Sequence, residues 1–258
     1  MTSSQIRPDT AYGAALTHGP ATPQSAGVGP APRWLTILGW AAPLFFVATQ
    51  AFGLLTSPPD RDMGHLQKIM YVHLPVAWNA FIAFFFLLVF SIVYLWRREE
   101  KYDLLAAACA EVATVLIGLT LVLGSIWGRP TWGVWWTWDA RITSMAVLFI
   151  LVVGYLSLRA FTEEPERRAR WSAAVGILAA LNVPIVYMSV RWWRTLHQVQ
   201  SSPHTVDPNY VRSLRLNAFA VLFLLVWFIA ARYRAARLER VAELRAEEAA
   251  LAGGGDHV

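Results

Sequence analysis

Six long apolar segments, at roughly 34–55, 69–96, 104–127, 142–160, 171–190 and 214–231, divide this chain of 258 residues. Each approaches or exceeds the roughly 20 residues that a helix needs to cross the hydrocarbon of a bilayer. No water is available there to satisfy backbone groups. A spanning segment must therefore bond its own amides and carbonyls, which only a helix or a closed barrel allows. Segments of this length select helices. The expected fold class is an all-α integral membrane protein, with six transmembrane helices and a Trp-rich loop between helices 3 and 4. Composition points the same way: 15% of residues are charged, against about a quarter in soluble domains.

Residues 34–231 make the membrane domain in this reading. Residues 1–33 hold five of the fourteen prolines, set among Ala, Gly, Ser and Thr, a composition that predicts disorder. They lack the basic start, apolar run and cleavage site of a signal peptide. His18 lies here and is given no role. Residues 232–258 form a charged tail of mixed sign, read as a solvated extension of the last helix. The single cysteine, Cys109, falls inside the third span and reads as a small buried hydrophobe. There is no C-x-x-C-H for covalent haem attachment and no phosphate-binding P-loop. The net charge of +5 gives no case for nucleic acid, because the basic residues cluster at span ends, where topology accounts for them.

Those basic residues set the orientation. With the N-terminus inside, the inner segments carry 14 Lys and Arg and the outer ones 8, as the positive-inside rule prefers. Both termini are then cytoplasmic, and the segment after the third span faces out.

That segment, 127–144, reads WGRPTWGVWWTWDARITS. It holds Trp127, Trp132, Trp135, Trp136 and Trp138, then Asp139 and Arg141. Tryptophan belts at membrane interfaces explain one or two rings per helix end, not a platform of five. As a short helix the loop would line Trp132, Trp135 and Trp136 along one stripe, with Asp139 next. Arg129 and Arg141 could bind carboxylates; the plainer expectation for Arg141 is a salt bridge to Asp139 that fixes the loop.

The same orientation places two histidines at this face. His73 lies in YVHLP, before Pro75. Proline favours the first position of a helix and biases its predecessor away from helical geometry, so the spanning helix is expected to start at Pro75, with His73 just ahead of it. His197 lies in RWWRTLHQ; if that stretch is helical, Trp193 and His197 share a face. His73 could instead be an interfacial histidine bonded to backbone or lipid, and His197 a solvated loop histidine beside an aromatic belt. His65 and His204 are nearby alternatives in less aromatic settings. Two imidazoles, a Trp platform and cations able to meet carboxylates suit haem, which takes axial nitrogen ligands. Zinc fits less well, since no Cys, Asp or Glu neighbours complete a tetrahedron.

W-D-A-R-I-T-S, with Y-V-H-L-P before it and W-W-R-T-L-H-Q after it, resembles the tryptophan-rich signature of the cytochrome c maturation protein C family. Larger haem lyases that share the Trp-rich signature continue the W-D with Pro and Glu, where this chain has Ala140 and Arg141. The resemblance covers roughly residues 34–235 and three separate motifs. It implies a haem-handling subunit of the inner membrane that holds haem b at the periplasmic face and passes it to a periplasmic haem chaperone. It also implies an ATPase subunit, a second membrane subunit and a small one-span partner. Carried onto this sequence, the haem iron ligands fall on His73 and His197, and the Trp loop on Trp127 through Asp139. Haem delivery rather than enzymatic turnover is expected, with attachment of haem to the chaperone as a step it could promote. Two other functions stay open: passage of haem through the chain, against which the apolar spans argue with Asn182 as their main mid-depth polar residue, and a scaffold whose Trp loop binds only protein.

Overall fold

The computed structural model describes residues 29–197 and 206–253. His18, His204 and most of the Pro-rich N-terminus lie outside that range. Six helices account for nearly all of what is described: α1 (Arg33–Thr56), α2 (Met70–Arg97), α3 (Glu100–Trp132), α4 (Ala140–Phe161), α5 (Pro165–Trp192) and α6 (Pro208–Gly253). All six are long and apolar enough to cross a membrane. The chain is an all-α, multi-pass membrane protein. It divides into two compact units, of which residues 31–238 form the larger. The described part of the second is essentially the last turns of α6, where Arg240 pairs with Glu243 at 3.3 Å.

Local chemistry sets the helix ends. Glu100 and Asp103 fill the first turn of α3 and complement the helix dipole. α3 stops at Gly133, whose φ of 79° is a left-handed conformation that favours glycine. Pro165 opens α5, where its missing N–H costs nothing. Between α2 and α3 only Arg98 and Glu99 intervene; Arg98 takes a left-handed φ of 57° and its N–H caps the Tyr94 carbonyl at 2.8 Å.

One core joins α2, α3, α4 and α5, with Leu225 of α6. Phe84 and Leu87 pack onto Ala106, Cys109, Ala110 and Ala113, and Leu148, Val152 and Tyr155 close the other side. The small residues of α3 matter because helix association in lipid rests on close backbone approach rather than on hydrophobic gain. Cys109 is fully buried, a small hydrophobe in that row. Outward-facing positions carry large apolar groups, among them Ile37, Leu55, Phe85 and Ile150, as lipid contact requires.

The interior is more polar than the sequence suggests. Asn182 donates to the Ser144 carbonyl at 3.0 Å. Thr49, Asn79 and Asn217 are also buried, and single-span hydropathy gave no warning of them. Arg159 grips Asp103 through two bonds, 2.5 and 2.9 Å, and Arg232 meets Glu111. Removing one member of a buried pair strands the other charge at a cost of about 3 kcal/mol or more, whereas replacing both can be neutral. Asp103→Leu should therefore lower stability in detergent more than the double variant Asp103→Leu/Arg159→Met; the pair of denaturation curves checks this.

Candidate functional site

A cavity of about 320 Å³ opens between α2, α3, α4 and α5 at one end of the bundle, and both His73 and His197 line it. Its size lies at the lower end of the range of about 300–1,000 Å³ typical of small-molecule and cofactor pockets. Leu74, Trp78, Phe81, Met145 and Val186 make much of the wall.

His73 sits inside α2, which begins at Met70 rather than at Pro75. A 3₁₀ turn, His65–Ile69, winds directly into the helix, so its continuity overrides the bias of the residues before proline. The His73 ring meets Trp127 edge-on, with centroids 5.7 Å apart. Its Nδ1 is buried and has no hydrogen-bond partner among the described residues. Gly124 lies under the ring: a Cβ there would come within 3.2 Å of His73 Cε1. Glycine at 124 thus makes room for the imidazole, a role that only the packing reveals.

His197 is held differently. α5 ends at Trp192 and the chain continues extended at Trp193, φ −128°, so Trp193 and His197 share no helical face. The carboxylate of Asp139 accounts for the departure. Its Oδ2 accepts the Leu196 N–H at 2.7 Å, its side chain bonds Thr195, and its Oδ1 lies 3.3 Å from His197 Nδ1. The same Oδ1 caps α4 through the N–H groups of Arg141, 2.8 Å, and Ile142, 3.4 Å. Burial pushes the Asp139 carboxyl up, but these donors outweigh it and hold the group below its ordinary range. Burial also lowers His197, against the pull of Asp139. An ionised carboxylate can only accept, so the neutral imidazole presents Nδ1–H to it and keeps Nε2 as a free ligand. Trp132 packs on the ring at 4.8 Å.

The Trp-rich segment is therefore not one platform. Trp127 and Trp132 belong to α3 and line the cavity; residues 140–144 belong to α4. Only 133–139 is loop, and it is not helical, so the stripe of Trp132, Trp135 and Trp136 does not form. Trp135, Trp136 and Trp138 are exposed, Trp138 to 80%, and none is in the cavity wall. Arg129 is exposed and donates to the Gly133 carbonyl. The Arg141 guanidinium lines the cavity and donates to the Tyr187 carbonyl at 3.3 Å, while its Nε is buried with no partner; the Asp139 oxygens it was expected to pair with are taken. His65 is exposed and away from the cavity. Among the described residues no three His, Cys, Asp or Glu side chains gather as a metal site. Two imidazoles, an apolar wall and a half-buried guanidinium fit a planar metallocofactor bearing carboxylates.

Fold and cavity thus define a multi-pass membrane protein with a paired-histidine pocket near one face. A family model described as heme exporter protein C matches residues 20–248. The chain is 34% identical to the heme exporter protein C of Bradyrhizobium diazoefficiens over 74% of each chain. It is 33% identical to that of Escherichia coli K12, over 75% of this chain and 82% of the relative. For Haemophilus influenzae the figures are 34%, 77% and 85%. The chain belongs to the heme exporter protein C family.

Asp139→Ala should cost about 1 kcal/mol through the lost cap alone and should free His197. Diethyl pyrocarbonate modification, read by mass spectrometry, is expected to be faster at His197 in this variant and unchanged at His65.

Proposed function

We propose that this protein holds haem b in the His73–His197 cavity and hands it to a periplasmic haem chaperone during cytochrome c maturation. One observation carries the reading: two histidines 124 positions apart in the sequence line a single apolar cavity. Family membership supports the cargo, since the relatives are described as heme exporters. In this reading His73 and His197 ligate the iron, with Asp139 orienting His197. Trp127 and Trp132 cover an apolar face, and Arg141 meets a propionate. Haem supplies the metal centre and reactive periphery; the chain supplies orientation and exclusion of water. Trp135, Trp136 and Trp138, with Arg129, form the exposed rim on which the chaperone would dock.

The excess of basic residues on the other side supports an inner-membrane orientation with both termini cytoplasmic. An ATPase subunit, a second membrane subunit and a small one-span protein complete the proposed complex. Delivery is favoured over passage of haem through the chain because the core below the cavity is closed by fully buried Phe84, Leu87, Ile117 and Leu148.

Purified wild type is expected to show a low-spin bis-histidine absorption spectrum, lost in the His73→Ala/His197→Ala double variant. Haem-free wild type from a haem-replete host would overturn the proposal and favour a protein-binding scaffold.

A further inference from the structure

The two histidines are oriented by different means. Asp139 holds His197 through its ring nitrogen. His73 has no such partner, so its position depends on the backbone that carries it. That backbone has a defect. In an α-helix the Tyr71 carbonyl accepts the N–H of residue 75, and residue 75 is proline, which has none. A carbonyl left open at membrane depth is costly.

The structure closes this gap from outside the helix. Gln50 of α1 reaches across and donates its Nε2 to the Tyr71 carbonyl at 3.1 Å. Gln50 is held in turn by Asn217 of α6, whose Oδ1 accepts Gln50 Nε2 at 2.6 Å and Thr49 Oγ1 at 2.9 Å. The Asn217 Nδ2 donates to the Ser213 carbonyl at 2.9 Å and the Thr49 carbonyl at 3.3 Å. Every donor and acceptor of the Asn217 amide is thus used, and Asn217 is fully buried. One turn further along α2, Asn79 Nδ2 bonds the Pro75 carbonyl at 2.8 Å and the Ala218 carbonyl at 3.2 Å. Packing reinforces the arrangement: a Cβ on Gly53 would meet the Tyr71 ring at 3.0 Å.

We infer that Gln50 and Asn217 are positioning residues for His73, forming a polar clamp from α1 and α6 onto the broken hydrogen-bond ladder of α2. The clamp sets where His73 stands relative to His197 without touching the cavity: neither Gln50 nor Asn217 lines it. As applied to haem, the inference rests on the function proposed above. Polar residues inside a membrane domain are expensive, and this cluster sits where the ligand-bearing helix lacks a bond.

The test compares Gln50→Leu in two backgrounds, wild type and Pro75→Ala. Alanine at 75 restores the missing N–H, so the Tyr71 carbonyl no longer needs Gln50. Two readouts are taken. The first is titration with haemin, followed by absorption spectroscopy. In the wild-type background Gln50→Leu should weaken haemin binding by about 10- to 100-fold, as loss of an outer-shell partner does. The low-spin spectrum should become mixed-spin and be restored by added imidazole. In the Pro75→Ala background the effect should largely vanish. The second readout needs no haem: carbethoxylation of His73 in haem-free protein should speed up in Gln50→Leu and not in Gln50→Leu/Pro75→Ala.

Ser57→Ala/Ser213→Ala is the control. It removes a buried contact of 3.2 Å between the residue capping the end of α1 and α6 that does not reach α2, and should move neither readout. An equal effect of Gln50→Leu in both backgrounds, or an effect of the serine pair as large as that of Gln50→Leu, would overturn the clamp and leave general helix packing. Wild type that binds no haemin would overturn the haem reading alone, and the His73 carbethoxylation rates would still decide the clamp.

Discussion

The carboxylate of Asp139 is the contact on which the site depends. It is buried, and burial by itself would favour the neutral acid. Its surroundings reverse that balance: the Thr195 side chain first, then the backbone N–H groups of Leu196 and Arg141, helped by the nearby His197 ring, while the Ile142 N–H adds to the cap of α4. The same group therefore starts one helix, pulls the chain after another out of helical geometry and fixes the tautomer of an imidazole. Because these tasks share one side chain, the position of His197 is tied to the packing of α4 against α5.

His73 is served by a different logic. Its ring is hemmed by packing, with Trp127 at its edge and Gly124 beneath it, and its hydrogen-bonded control comes through the main chain. A membrane protein cannot leave a carbonyl open as a soluble one can, because no solvent repairs the loss. The bond missing at Pro75 thus creates a demand for an amide from a neighbouring helix, and α1 and α6 contribute that amide more visibly than they contribute apolar core. Their large side chains mostly face outward, Trp40 of α1 to 74%.

Much of this was legible in the sequence, for a definable reason. Hydropathy is additive over a window of about 20 residues, so all six spans could be read, with ends within about a turn or two of the helix ends except in α6. Helix α6 begins six residues before its expected span and runs on through the charged tail to Gly253, because charge ends a hydrophobic span without ending a helix. His73, His197, Trp127, Trp132 and Arg141, read as site residues, do share one cavity. The exposed Trp135, Trp136 and Trp138 could not be told apart from them, since composition carries no direction and the stop at Gly133 turns the chain away. Gly124 and Tyr187 left no readable signal, and Gln50 left only a faint one. Gly124 contributes space, Tyr187 a carbonyl, and Gln50 a donor whose need arises 25 residues away in Pro75. The one available clue was a glutamine inside an apolar span with no partner in its own helix.

The turn between α2 and α3 bears on how the pocket comes into being. With only Arg98 and Glu99 between them, these helices form a tight hairpin, and a tight hairpin brings the start of the first helix beside the end of the second. His73 and Trp127 are thus neighbours by local connectivity alone, and Gly124 joins them from the same hairpin. His197 arrives only after two more helices have been made. Chains emerge N-terminal first, so one wall of the pocket, His73 included, can stand in the bilayer before His197 has left the ribosome. The cavity is then closed as the chain after α5 folds back onto Asp139, which makes completion of the pocket a late event in the biogenesis of the protein itself.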